Sequence, residues 1–272
     1  MDFVNRDTIF CISLAGRPSN YGTRFHNYLY QKLGLNYLYK AFTTSDLKAA
    51  IGGIRALGIR GCGVSMPYKE DVIEFLDELD ESAKAIQSVN TIVNSDGHLK
   101  AYNTDYIAIV ELLRRYHIPN TSVFALRGSG GMAKAVACGL RDLGFHNGYI
   151  IAKNKRSGPA LANHCGYHWV EQADEIKADL LINATPIGMT GDPSQDQLSF
   201  PEQMIENATT IFDVVAVPTK TPLLKIAKAR KKMTISGAEV YAIQAVEQFV
   251  LYTNIRPDHA LFEEAADYAR QG

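Results

Sequence analysis

Two short stretches of this chain place a cation and an acid where proton-transfer chemistry could use them. In "GVSMPYKE", residues 63–70, Lys69 follows a proline and an aromatic residue at the end of a strand-like run. In "AYNTDYIA", residues 101–108, Asp105 follows a second possible strand end. An ammonium and a carboxylate acting on one hydroxyl can hydrogen-bond to it and share its proton while hydride leaves the carbinol carbon. Each residue alone has a plainer reading. An isolated lysine is usually a solvated surface charge, and Asp105 can equally cap the helix "YIAIVELLRRY".

Hydride chemistry needs a carrier, and "VFALRGSGGMAKAVA" supplies a strand, a Gly-rich turn and a helix in succession. Gly128, Gly130 and Ala133 satisfy G-x-G-x-x-A: a glycine for the tight turn, a second for close approach of a pyrophosphate, and an alanine for close helix packing. The helix N-terminus offers free N–H groups to phosphate oxygens. A site for NAD, or for S-adenosylmethionine in a methyltransferase, usually ends the next strand with an acid that holds the ribose hydroxyls. Here that strand ends "IIAKNKR", with Lys153, Lys155 and Arg156, so a 2′-phosphate is the better match and NADP the expected cofactor. Arg127 can add to the same field, while Lys155 and Arg156 read equally well as a basic surface turn.

The elements that must carry these groups are legible in outline. From about residue 122 the runs "SVFALRG", "GYIIAK", "HWVEQ", "DLLINAT", "TTIFDVV" and "KMTISG" are β-rich and several are almost continuously apolar. Between them "GMAKAVACGLRDLGF" and "TPLLKIAKARKK" carry helical spacing, which gives a βαβ series and a doubly wound parallel sheet. The first hundred residues are a separate α/β unit, with "IFCISLAG", "YLYKAFT" and "IRGCGVSM" strand-like. After Gly237 the chain is helical again, and periodicity does not say on which unit those helices pack.

Composition narrows the partners. With 272 residues, 46% hydrophobic and 21% charged, the chain can bury a real core in one large or two moderate domains. A net charge of -1 with interleaved signs offers no field for DNA or RNA. The sequence contains no membrane-length apolar run, and "MDFVNRD" has no signal-peptide character, so a cytoplasmic protein is expected. Cys11, Cys62, Cys138 and Cys165 are widely spaced and read as reduced and mostly buried. His164 and His168 flank Cys165 four residues apart, but Gly166 interrupts the segment and no H-E-x-x-H pattern is present, so no metal is assigned.

Taken together the motifs resemble those of the shikimate dehydrogenase family, nearly from end to end. "GVSMPYKE" is similar to that family's N-V-T-x-P-[FY]-K, "SVNTIV" to A-V-N-T, "YNTDYIA" to N-T-D-G and "GSGGMAKA" to G-A-G-G-A. "NATPIGM", "DVVAVPTKTPLL" and "GAEVYAIQAVEQF" resemble three further segments. The resemblance implies an N-terminal α/β substrate domain over residues 1–103, completed by helices of 241–272, and a Rossmann-type NADP domain over 104–240. It implies reversible hydride transfer between NADP and a shikimate-like hydroxylated cyclic acid, with Lys69 and Asp105 as the catalytic pair. Ser65, Asn90 and Gln244 match positions that hold substrate hydroxyls. Gly128, Ser129, Gly130, Gly131 and Met132 match the pyrophosphate turn, and Lys153 with Asn154 the 2′-phosphate position. Thr185, Val215, Gly237 and Val240 match segments near the nicotinamide.

The departures lie on the substrate side. Where the family usually carries two serines for the substrate carboxylate, "GRPSNYGTRFHN" is two residues shorter and places Asn20 and Gly22. Thr23, Ser19 and Arg24 are the candidates for a different grip. Gly63 replaces the usual Asn, Tyr106 a Gly, and Ala216 a substrate-facing Tyr. The alternative is an NADP(H)- or metabolite-binding regulator with vestigial activity; a methyltransferase fits the Gly-rich turn alone. The expected partner is a small molecule, bound by a monomer or homodimer.

Overall fold

In the computed structural model, which describes residues 4–173 and 176–271, the chain divides into two units. The first takes the chain up to Thr104 and again from Ala242, and the second takes Asp105–Tyr241. Each crossing falls one residue later than the boundary expected from sequence.

The first unit opens with β1 (Ile9–Leu14), α1 (Asn20–Lys32), β2 (Tyr37–Phe42), α2 (Leu47–Ala56) and β3 (Gly61–Val64). It continues through a short 3-10 turn, β4 (Glu78–Leu79), α3 (Glu81–Lys84), β5 (Thr91–Ser95) and β6 (His98–Tyr102). The strands lie in the order β2-β1-β3-β5-β6-β4, with β2, β1 and β3 parallel and β5 antiparallel to both of its neighbours. Alternation along the strands splits the core into two layers. Ile12, Leu14, Cys62, Val64 and Ile92 pack with Ile51 and Ile54 of α2. Cys11, Tyr39 and Val93 pack with Phe25, Leu29 and Tyr30 of α1 and with residues of the returning C-terminal segment. The β5–β6 hairpin was not among the expected strands. Its signal is Asp96-Gly97, both at positive φ, the pair that a two-residue hairpin turn favours.

The second unit runs through α4 (Thr104–Arg115), β7 (Phe124–Arg127), α5 (Gly131–Asp142), β8 (Gly148–Ile151), α6 (Ser157–Cys165) and β9 (His168–Val170). After these come β10 (Leu180–Asn183), α7 (Glu202–Asn207), β11 (Thr210–Asp213), α8 (Pro222–Ala229) and β12 (Met233–Ser236). Its sheet is wholly parallel, in the order β12-β11-β10-β7-β8-β9, which is the doubly wound Rossmann-type arrangement. The strands β10 and β11 are buried along their whole length, so they read as apolar runs, Leu180, Leu181 and Ile182 in one and Ile211 and Phe212 in the other, each closed by a buried polar residue, Asn183 and Asp213. The helices α6 and α7, absent from the expectations, carry little apolar spacing: "SGPALANHC" and "EQMIEN".

The chain re-enters the first unit within α9 (Gly237–Thr253), followed by α10 (His259–Arg270). Phe249, Tyr252, Ala265 and Ala266 are buried against α1 and the sheet, so the last helices complete the first unit's core. The four cysteines are free thiols and buried. Among the described residues no helix is long and apolar enough to cross a membrane.

Candidate active site

In the first unit the chain leaves β3 at Val64 and turns sharply through a cis Met66–Pro67 bond. The turn is held by backbone bonds: Ser65 N–H donates to Leu14 O (2.9 Å), Gly16 N–H to Met66 O (2.9 Å) and Tyr68 N–H to Ser65 O (3.0 Å). Lys69 follows, half-buried, and its carbonyl accepts from Val89 N–H at 2.8 Å. Tyr68 Oη donates to Thr44 O (2.7 Å), pinning the neighbour of the lysine as well. Lys69 therefore projects from a segment with little backbone freedom, and Ser65 stands exposed at its start.

Asn90, 1% exposed, is the hub of this unit's polar network. Its backbone carbonyl accepts Val64 N–H (2.7 Å), fixing the strand end that leads to Lys69. Its side-chain oxygen accepts Thr104 N–H (2.8 Å) and Thr91 Oγ1 (2.9 Å), and its amide nitrogen donates to Thr104 Oγ1 (3.0 Å). Asp105 is the next residue, buried in the first turn of α4, where the helix dipole favours a carboxylate. Sequence reasoning missed Gln248, whose Nε2 donates to Asn90 O (3.1 Å) and to Thr91 Oγ1 (2.9 Å). Gln248 lies one helical turn beyond Gln244, which is half-buried on α9. His26 is completely buried, which holds its imidazole neutral and depresses its pKa to about 3, against a smaller raising effect of Gln248.

The residues at the positions that depart from the family pattern lie at the start of α1. Asn20 is exposed and Thr23 half-buried in the first turns, and the N-cap Ser19 makes no side-chain capping bond. Arg24 is committed elsewhere: its Nη2 donates to Tyr268 O (2.8 Å) and its guanidinium lies 4.1 Å from the Tyr268 ring centre. The two glycines that replace polar residues converge on one group. A Cβ on Gly63 would lie 2.9 Å from Tyr39 Oη, and a Cβ on Gly22 would lie 3.5 Å from the same oxygen. Tyr39 is itself buried, with its ring stacked on His26 at 4.4 Å.

In the second unit the Gly-rich turn joins β7 to α5. Gly128 adopts φ +126° and a Cβ there would lie 2.9 Å from Ala184 O, so only glycine closes this turn without strain. A Cβ on Gly130 would meet nothing within 4 Å, leaving the backbone open to a ligand. Gly131 and Met132 begin α5, whose first turn holds no acid. Ser129 Oγ and Ser157 Oγ are 2.7 Å apart, tying the turn to the start of α6. An open, acid-free helix N-terminus behind a tight glycine turn fits the pyrophosphate of a dinucleotide. Lys153 and Arg156 are exposed beyond β8, whereas Lys155 pairs with Glu171 at 3.3 Å. Asn154 turns its side-chain oxygen to Arg156 N–H (2.9 Å) and Ser157 N–H (3.0 Å), so it shapes the entry to α6.

Thr185 and Val215 are positioned by a buried network that sequence reasoning did not name, although its members lie inside the quoted motifs. Asn183 Oδ1 accepts from Thr185 N–H (3.1 Å) and Thr185 Oγ1 (2.6 Å), and Asn183 Nδ2 donates to Asp213 Oδ1 (3.0 Å). Asp213 also accepts from Val215 N–H (3.1 Å) and Thr221 Oγ1 (2.6 Å). Burial pushes its carboxyl up to about 6, against the lowering effect of those donors. Gly237 opens α9 where a Cβ would fall 2.3 Å from Val214 O, and Val240 is buried a turn later. Tyr106 donates to Asp142 Oδ2 at 2.7 Å, and Ala216 is half-buried in the segment after β11.

Residues 21–92 match the family model described as the shikimate dehydrogenase substrate binding domain. A shikimate dehydrogenase-like protein of Haemophilus influenzae is 55% identical over 98% of both chains. A shikimate dehydrogenase (NADP(+)) of Pyrococcus abyssi is 36% identical, covering 93% of this chain and 96% of its own. Among solved structures, the Thermus thermophilus shikimate 5-dehydrogenase in complex with NADP(H) and shikimate superposes with a TM-score of 0.85 at 28% identity, over 96% of this chain and 100% of that one.

Proposed function

The chain belongs to the shikimate dehydrogenase family, and from that premise we propose that it is an NADP-dependent oxidoreductase interconverting a ring hydroxyl and a ketone on a shikimate-like cyclic carboxylic acid. The observation that carries the reading is the Asn90 hub. One buried residue anchors the strand end leading to Lys69 through its carbonyl, and the residue before Asp105 through its side chain. A surface lysine and a helix-capping acid would have no use for a shared anchor. Positioned proton-transfer groups do, because misplacement by an ångström can cost about a hundredfold in rate.

Lys69 and Asp105 hold the substrate hydroxyl and take up its proton as the carbonyl forms. Ser65, Gln244 and the Asn90 amide N–H bind further hydroxyls, and Asn20 and Thr23 orient the carboxylate. NADP, when bound, supplies the hydride acceptor. The Gly128–Met132 backbone would hold its pyrophosphate, and Lys153 and Asn154 its 2′-phosphate. Thr185, Val215, Gly237 and Val240 would border the nicotinamide. The Tyr39 hydroxyl beside Gly22 and Gly63 supports a substrate grip that differs from paired serines.

The test is NADPH formation with shikimate, quinate and related hydroxy acids. Lys69→Ala should lower turnover by roughly 10²–10⁴-fold, the usual worth of a positioned acid–base group. Turnover that survives the substitution would sink the role. The same glycines favour a second reading, a metabolite-binding regulator; tight NADPH binding with no turnover on the whole panel would select it.

A further inference from the structure

The second unit carries a cluster that the proposed reaction does not use. Cys138 on α5 and Cys165 at the end of α6 bring their Sγ atoms to 3.7 Å. His164 adds a ring nitrogen, and the three ligand atoms all lie within 4.8 Å of one another. Two sulfurs bonded to one tetrahedral zinc at about 2.3 Å each are held about 3.8 Å apart. The sulfur spacing is therefore that of two thiolates sharing an ion.

The surroundings suit the same use. Both thiols are buried and His164 is exposed, so the set has an anchored inner side and an open outer one. The neighbouring Asp142 is engaged by Arg141 Nε (2.8 Å) and Tyr106 Oη (2.7 Å) and is not one of the three. His168, the other half of the four-residue histidine spacing, lies on β9 against Tyr149 and is not one of the three.

We propose that Cys138, His164 and Cys165 form a binding site for a thiophilic divalent cation of the zinc type. Two thiolates neutralise the ion's charge, the imidazole completes three protein ligands, and the thiol protons pass to solvent on binding. Spacing in sequence does not reveal this set, because Cys138 and the His164–Cys165 pair meet only through the packing of α5 against α6.

Cobalt(II) is the probe. Full-length protein, reduced and with its free thiols counted, is titrated with Co²⁺ while the thiolate-to-cobalt charge-transfer absorption is followed, and Zn²⁺ is then added in competition. The expected result is a band saturating at one ion per chain, displaced by Zn²⁺ and lost in Cys165→Ser. His164→Ala alters an exposed side chain, so it tests the site even if the buried serine variant fails to fold. It should weaken binding by about tenfold or more, since even the outer-shell partners of a metal site are worth 10–100-fold. No band in fully reduced wild-type protein overturns the proposal, including the case in which the two cysteines form a disulfide instead. Unchanged affinity in His164→Ala overturns it equally.

Discussion

His26 and Asp213 are buried ionisable groups whose responses to pH run in opposite directions. Burial lowers His26 from an ordinary 6.5 to about 3, so its neutral form contributes stability that is whole above about 6.5 and is lost as pH falls toward 3. Burial raises Asp213 from 3.8 to about 6, so its contribution is whole below about 3.8 and is lost as pH rises through 6. A tenfold difference in proton affinity between the folded and unfolded chain is worth on the order of 1.4 kcal/mol, so both effects are large enough to measure. Thermal unfolding across pH 4–7 separates the two. His26→Phe, which keeps a ring against Tyr39, should flatten the loss of stability on acidification. Asp213→Asn should gain on wild type as pH rises from 4 to 6. A stability difference from wild type that is constant over the whole range would refute the corresponding assignment.

Two glycines of one turn should respond differently because they meet different surroundings. Gly128→Ala forces a side chain onto φ +126° and against the Ala184 carbonyl, so we expect a loss of stability of roughly 1–3 kcal/mol. Gly130→Ala meets no protein atom, so stability should hold while NADPH affinity falls by tenfold or more. Denaturant titration and fluorescence binding measure the two effects, and a stable Gly130→Ala variant with unchanged affinity would remove the turn from the cofactor site. The turn was legible in sequence because strand, glycines and helix are consecutive. Lys69 was legible for the same reason, in an eight-residue segment. What was not legible joins residues far apart: Gln248 with Asn90, Asn183 with Asp213, and Tyr39 with Gly22 and Gly63. No local pattern encodes which strand ends share an edge. The β5–β6 hairpin is the exception, since its Asp96-Gly97 turn signal is local.

At the scale of the molecule, NADPH binding should raise the unfolding temperature through mass action, by about 2.7 kcal/mol of stabilisation at a hundredfold excess over Kd. NADH at the same concentration should give a smaller shift, because it has no 2′-phosphate for Lys153; equal shifts would remove that assignment. The division of the chain has a further effect, on the order in which the protein is made. Residues up to Thr104 share their core with Phe249 and Tyr252, which leave the ribosome only after Asp105–Tyr241 has emerged. At about 5–20 residues per second, the first-made unit waits on the order of ten seconds for its last helices. During that interval the face of its sheet built from Cys11, Tyr39 and Val93 lacks part of its cover. Released chains truncated before Ala242 should therefore show a protease-resistant second unit and a sensitive first one, with the earliest-synthesised residues the last to become native.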